Sequence, residues 1–146
     1  MLKLTFFIII KEWATGKLPF LGYLANNSIN KMEKINILGI NITKLPRREV
    51  MKKIESFLFS NKQQQIVTPN PEIILNAIGE DEESFYILNH AALAVPDGFG
   101  LKCAAWAMGK NIYRFAGADL LLDTLKLAEA REKKVLILYP ILSLHY

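Results

Sequence analysis

The sequence predicts an α/β domain with a mostly parallel sheet. Short apolar runs with strand periodicity alternate with amphipathic helical stretches, and the connections between them are short and polar. Composition agrees: of 146 residues, 51% are hydrophobic and 22% charged, close to an average globular chain and enough for a core. Intrinsic disorder is excluded on the same ground, and no internal repeat or low-complexity tract is present.

Residues 1–31 stand apart as an N-terminal extension, and residues 32–146 form the predicted domain. Leu4–Ile10 and Leu18–Ala25 are apolar, but both fall short of the ~20 residues that span a bilayer. Lys11, Glu12 and Lys17 between them would be costly to bury in lipid. The extension reads either as a membrane-surface segment or as upstream sequence, with Met32 as the natural start. From Ile35 to Ile42 the isoleucines alternate around Gly39, a strand with a bend or tight turn at the glycine. Pro46 opens a helix with Val50, Ile54, Phe57 and Leu58 on one face; Arg47, Arg48, Lys52 and Lys53 fall mostly on the solvated ones. A strand at Gln65–Thr68 is stopped by Pro69-Asn70-Pro71. Pro71 starts a helix that Gly79 closes, and Glu80–Glu83 starts another whose apolar face is Phe85, Ile87 and Leu88. Leu93–Pro96 is a buried strand, and Gly98–Met108 an apolar helix stopped by Gly109. Tyr113–Phe115 is a brief extended piece before a long helix with Leu121, Leu125 and Ala128 on one face. Val135–Tyr139 is the final strand.

The net charge of +4 and a pI near 9.2 suit an anionic partner without selecting one. Cys103 is the single cysteine, flanked by apolar residues, which reads as a buried, inert side chain and excludes an internal disulfide. His90 and His145 lack metal-ligand spacing, and Asp81 with Glu83 reads as a solvated acidic turn. There is no Walker A loop, zinc signature or Ser/His/Asp arrangement, and no interleaving of basic residues with aromatics as a nucleic-acid surface wants.

In open α/β sheets ligands bind beyond the carboxyl ends of the strands. Two such ends stand out: Thr68-Pro69-Asn70-Pro71-Glu72 and Pro96-Asp97-Gly98-Phe99-Gly100. Both lead into a helix N-terminus, where free N–H groups favour a phosphate or a polarised sugar oxygen. Asp97 is either a catalytic acid or base or simply the N-cap of the next helix, and Gly98 and Gly100 let backbone approach a ligand. Asn70 is either a ligand contact beside Thr68 or a turn residue bonding its own backbone. Arg114 is a cation for a pyrophosphate or a solvated side chain; Gly117 and Asp119 are candidate substrate contacts beside it, with Asp119 otherwise capping or charge-complementing the following helix.

Taken together, Ile35–Ile42 with its helix, Val67-Thr68-Pro69-Asn70-Pro71-Glu72, Pro96-Asp97-Gly98-Phe99-Gly100-Leu101 and Arg114-Phe115-Ala116-Gly117-Ala118-Asp119-Leu120 resemble the WecG/TagA/CpsF family of glycosyltransferases, over about residues 34–138. The resemblance implies a Rossmann-like three-layer domain that is incomplete at its C-terminal end. It implies transfer of an N-acetylmannosamine-type sugar from a UDP donor to a polyprenyl-diphosphate-linked sugar. The setting is the inner face of the cytoplasmic membrane, in the assembly of teichoic acid, common antigen, capsule or other exopolysaccharide. Asp97 matches the family's catalytic base, Thr68 and Asn70 its sugar-side pocket, and Arg114 the arginine before the Gly117-x-Asp119 step. Inversion at the anomeric carbon is expected, with neither metal nor other cofactor. Dimers or larger rings fit the family's self-association, and nucleic acid is not an expected partner.

The sequence also departs from the family. The strand at Val135–Tyr139 meets Pro140 and the chain ends six residues later, without the glycine-rich turn, further strand and helix, and basic C-terminal region expected of a member. The sequence reading therefore carries an alternative, a truncated and inactive fragment acting as a binding module, with an uncovered sheet edge and low solubility.

Overall fold

The computed structural model describes residues 32–60, 62–79 and 81–135, together with the backbone of Ile8–Ile10. It is a mixed α/β structure with a short parallel sheet and, among the described residues, five helices.

Strand β1 (Ile8–Ile10), in the extension where the sequence predicted none, pairs antiparallel with β4 (Gln64–Val67), Ile8 opposite Ile66. On the other side of β4 runs β5 (Leu93–Ala94), parallel, with Ile66 opposite Leu93 and Val67 opposite Ala94. The pairing continues past both strands. Val95 N–H donates to Val67 O at 2.9 Å and Asp97 N–H to Pro69 O at 2.8 Å, and a parallel bridge then joins Asp97 to Phe115. Alternate residues feed two separate cores. Ile66, Leu93, Val95 and Phe115 join one apolar cluster, Val67 and Ala94 the other, so both faces of the sheet are covered.

The first cluster is closed by α1 (Arg47–Leu58) and α5 (Gly117–Ala130). Helix α1 buries Val50, Ile54, Phe57 and Leu58, the face its periodicity predicts. Helix α5 departs from its predicted face. It buries Leu120, Thr124 and Ala128, while Leu121 and Leu125 are only half-buried. The reason is local: the Thr124 hydroxyl donates to Leu120 O at 2.7 Å, so a polar side chain goes inside with its hydrogen bond made. Ion pairs Arg47–Asp123 and Arg131–Glu55 tie the two helices at the surface, each a minor contribution.

The second cluster is capped by a hairpin, β2 (Lys34–Ile37) and β3 (Ile40–Thr43). Leu38 and Gly39, both at positive φ, make the two-residue turn whose twist suits such a hairpin. Register places Ile35 opposite Ile42 and Ile37 opposite Ile40, and all four are buried. Thr43 Oγ1 accepts from Ala94 N at 3.1 Å, fixing the hairpin against β5.

Three helices complete this side: α2 (Pro71–Gly79), α3 (Glu82–His90) and α4 (Phe99–Ala107). Of the apolar face predicted for α3, only Leu88 is fully buried. Ile87 is half-buried, and Phe85 lies at the rim with its ring edge 3.3 Å from where a Cβ on Gly39 would stand, covering the hairpin turn. Asn89 on the same helix accepts from Asn41 N at 3.1 Å and donates to Gly39 O at 3.1 Å, a fixing contact the sequence did not reveal. Cys103 is exposed, not buried as expected. Helix α4 buries Leu101 and Ala105, and Cys103 falls on the opposite face.

Residues 1–7 and 11–31, Asn61, Glu80 and residues 136–146 lie outside the described residues, and with them most of the predicted extension, His145 and all but the exposed Val135 of the final strand. No helix among the described residues is long and apolar enough to cross a membrane.

Candidate active site

The two strand ends singled out by sequence meet in space, and the meeting point is the first residue of α5. A Cβ added to Gly117 would stand 3.1 Å from Asp97 Oδ2 and 3.2 Å from Thr68 Oγ1. Asp97 and Thr68 thus converge on Gly117 from adjacent parallel segments, and only a residue without a side chain leaves both groups undisturbed there. Thr68 is buried, at 6% exposure, while Asp97 is partly open to solvent.

Asn70 and Asp97 resolve differently. Asn70 immediately precedes the first helical residue, Pro71, and its Oδ1 accepts from Ile73 N at 2.8 Å. It is the N-cap of α2. Its side-chain NH2 makes no hydrogen bond among the described residues. Asp97 is not a cap. Helix α4 begins at Phe99 behind Gly98, whose φ of 83° turns the chain away, and no side chain caps it. The Asp97 carboxylate makes no hydrogen bond or ion pair with any described residue, although its backbone is pinned on both sides by Pro69 and Phe115. A fixed backbone carrying an uncommitted carboxylate can take a proton from a ligand without first giving up an internal partner.

The other sequence-predicted residues surround this pair. Gly98 borders Asn70: a Cβ on Gly98 would meet Asn70 Cβ at 3.9 Å and Pro71 Cδ at 3.6 Å. Gly100 is accounted for by packing, since a Cβ there would lie 2.6 Å from Pro71 Cγ. The close approach it permits is between the starts of α4 and α2 within the chain. Asp119 is exposed in the first turn of α5, where the helix dipole favours an acid. Helices α4 and α5 both start without a side-chain cap, so their first N–H groups remain for a ligand.

Arg114 lines an open cleft of about 350 Å³ with Arg47, Lys102, Asn111 and Tyr113, over the buried Ile112 and Phe115. The cleft does not include Asp97 or Thr68. Phe115 connects the two places, since it lines the cleft and pairs with Asp97 through the backbone. Arg47 is held by Asp123, whereas Lys102 and Arg114 make no ion pair among the described residues. The sequence reading left Arg47 and Lys102 out of the site. One signal was present: Arg47 opens α1, where a cation is electrostatically disfavoured and needs another reason to be there.

Asp81 caps α3, accepting from Ser84 N at 2.9 Å, and His90 stacks on Tyr86. Among the described residues no group of three or more His, Cys, Asp or Glu side chains is placed to hold a metal ion.

Residues 35–139, more than half of the chain, match the model of the glycosyl transferase WecG/TagA/CpsF family. The chain belongs to that family. The matched span runs from the hairpin through both strand ends and the N-terminus of α5, so every residue described above at the site falls within it. A search of the curated proteins returned no match. As a family of glycosyltransferases, WecG/TagA/CpsF proteins move a sugar from a donor to an acceptor.

Proposed function

We propose that this chain transfers an N-acetylhexosamine-type sugar, N-acetylmannosamine or a close relative, from a UDP-sugar to a polyprenyl-diphosphate-linked sugar at the inner face of the cytoplasmic membrane. Teichoic acid or another cell-wall or exopolysaccharide polymer is the destination. The domain that does this spans residues 32–146 in a Rossmann-like arrangement, with residues 1–31 as an extension.

The observation that carries the reading is the Asp97 carboxylate. It stands at a strand end beside Thr68 and Gly117, and no helix cap or ion pair among the described residues uses it. As the acceptor hydroxyl oxygen attacks the anomeric carbon, its proton passes to Asp97. The bond from that carbon to the UDP oxygen breaks, and its electron pair leaves with UDP. One displacement inverts the anomeric configuration and leaves the protein unmodified. The negative charge that develops on UDP is met by the uncapped N-termini of α4 and α5 and by Arg114 and Lys102 in the adjoining cleft. The proposal needs no metal or other cofactor. In this reading Thr68 and the side-chain NH2 of Asn70, which is left over from the helix cap, hold sugar hydroxyl or acetamido oxygens.

The test is transfer from labelled UDP-N-acetylmannosamine to a lipid-linked N-acetylglucosamine acceptor, with Asp97→Asn alongside. The expected result is transfer with inverted product that the variant loses. An unchanged rate in Asp97→Asn removes Asp97 from the role of base. No transfer by folded chain from any of several UDP-N-acetylhexosamines overturns the proposal as a whole.

A further inference from the structure

Helix α4 is apolar almost all round, which ordinarily means burial on every side, yet the described residues cover only one of its sides. Leu101 and Ala105 face the core. On the opposite side, Phe99, Cys103 and Trp106 recur at helical spacing and form a continuous outward stripe. Phe99 is 66% exposed and Trp106 80%, and beyond the helix Met108 and Tyr113 are about half exposed, at 49% and 51%. Nothing in the packing of the described residues explains two large aromatics in water on one helix face.

Charge narrows what covers them. From Gly98 to Ala118 the sequence contains Lys102, Lys110 and Arg114 and no aspartate or glutamate. All three cations are exposed. A symmetric contact between two copies would set this face against itself, bringing lysines together with no carboxylate from the same segment to pair them. An anionic lipid surface matches both features: its headgroups attract the cations, and its interfacial layer takes Trp, Tyr and Phe side chains.

We infer that the outward face of α4, carried by Phe99, Cys103 and Trp106 with Lys102 and Lys110 beside them, docks this chain onto an anionic bilayer. Asp97 and Gly98 lead directly into this helix, so docking sets the candidate site beside the lipid surface. The inference deepens the proposed function, resting on its lipid-linked acceptor for its purpose, but the surface itself is argued from its own residues.

The experiment uses the whole chain with Trp13→Phe, which leaves Trp106 as the only tryptophan. It is mixed with vesicles of phosphatidylcholine alone or with phosphatidylglycerol added. Expected are a blue shift of Trp106 emission and co-sedimentation with the phosphatidylglycerol vesicles. In the original background, Phe99→Ser with Trp106→Ser weakens that binding about tenfold or more, and Lys110→Glu weakens it about fivefold or more. These side chains are exposed, so the melting curves should coincide with the unmodified chain. Unshifted Trp106 emission overturns the inference, as does vesicle binding that survives the double change. So does a dimer, seen by sedimentation velocity, that the double change splits without altering vesicle binding; a second copy would then be the occupant.

Transfer to a water-soluble acceptor lacking the polyprenyl tail separates the two proposals. If the surface is wrong, that transfer persists while vesicle binding ignores Phe99 and Trp106. If the transferase reading is wrong, no variant transfers sugar, yet vesicle binding still follows those side chains.

Discussion

Two crossovers in this molecule look alike in sequence and behave differently. In Val67-Thr68-Pro69-Asn70-Pro71 and in Val95-Pro96-Asp97-Gly98-Phe99, a buried strand ends at a proline and a short polar side chain precedes a helix. In the first, Pro71 has its φ fixed near the helical value and starts α2 at once, which leaves Asn70 in the N-cap position with its oxygen on Ile73 N. In the second, Gly98 is interposed at a φ of 83°, α4 starts one residue later, and Asp97 is a position too early to cap. One crossover commits its polar side chain to the fold, and the other leaves it without a partner among the described residues.

The largest expected effect lies on the second crossover. Asp97→Asn keeps the shape and removes the carboxylate that the proposed function uses as base, so sugar transfer should fall by about 10²–10⁴-fold with an unchanged circular dichroism spectrum. Next comes the contact that joins the crossovers. Gly100→Ala places a methyl 2.6 Å from Pro71 Cγ, and neither a proline ring nor a helix start yields easily. The expected cost is about 1–3 kcal/mol, read as a lower denaturation midpoint. A methyl at Gly117 is a milder intrusion, 3.1 Å from Asp97 Oδ2 and 3.2 Å from Thr68 Oγ1. Gly117→Ala should shift both groups by tenths of an ångström and lower transfer about tenfold with little change in stability. Full activity in that variant would mean the reacting atoms do not sit between Asp97 and Thr68.

The difference between the crossovers shows where sequence reading reaches and where it stops. The face of α1 was fully legible, because four apolar side chains at helical spacing leave one way to bury them. The matching of strands to helices was legible for the same reason. The buried face of α5 was not: Leu121 and Leu125 are as apolar as Leu120, and what tips the helix is a hydrogen bond that lets Thr124 go inside. Periodicity counts apolar residues and cannot see a satisfied hydroxyl. Cys103 failed in the opposite sense, since apolar neighbours along the chain do not place a residue on the covered side of a helix. At the site, Thr68, Asp97 and Gly117 were each visible as strand-end or helix-start residues, but their convergence was not. Whether Asp97 caps turned on the helix starting at Phe99 and not at Gly98, a shift of one residue, finer than such boundaries are ordinarily read.

Stability sharpens the comparison further. Asn70→Ala removes a side-chain cap and should cost about 1 kcal/mol.

The smallest effect expected is the most informative about the comparison: Asp97→Ala, read as stability and not as activity. The carboxylate sits near the uncapped starts of α4 and α5, which favour a negative charge by a few tenths of a kcal/mol. Against that, it is partly removed from water with no hydrogen bond among the described residues to compensate, which costs in the other direction. The two contributions oppose each other, so the denaturation midpoint should correspond to a change within about 0.5 kcal/mol of the unmodified chain, in either sense. A loss matching that of Asn70→Ala would show that Asp97 is committed to the fold after all, and the contrast between the crossovers would vanish. A gain would put the residue among those held at some expense of stability for what they do to a bound ligand.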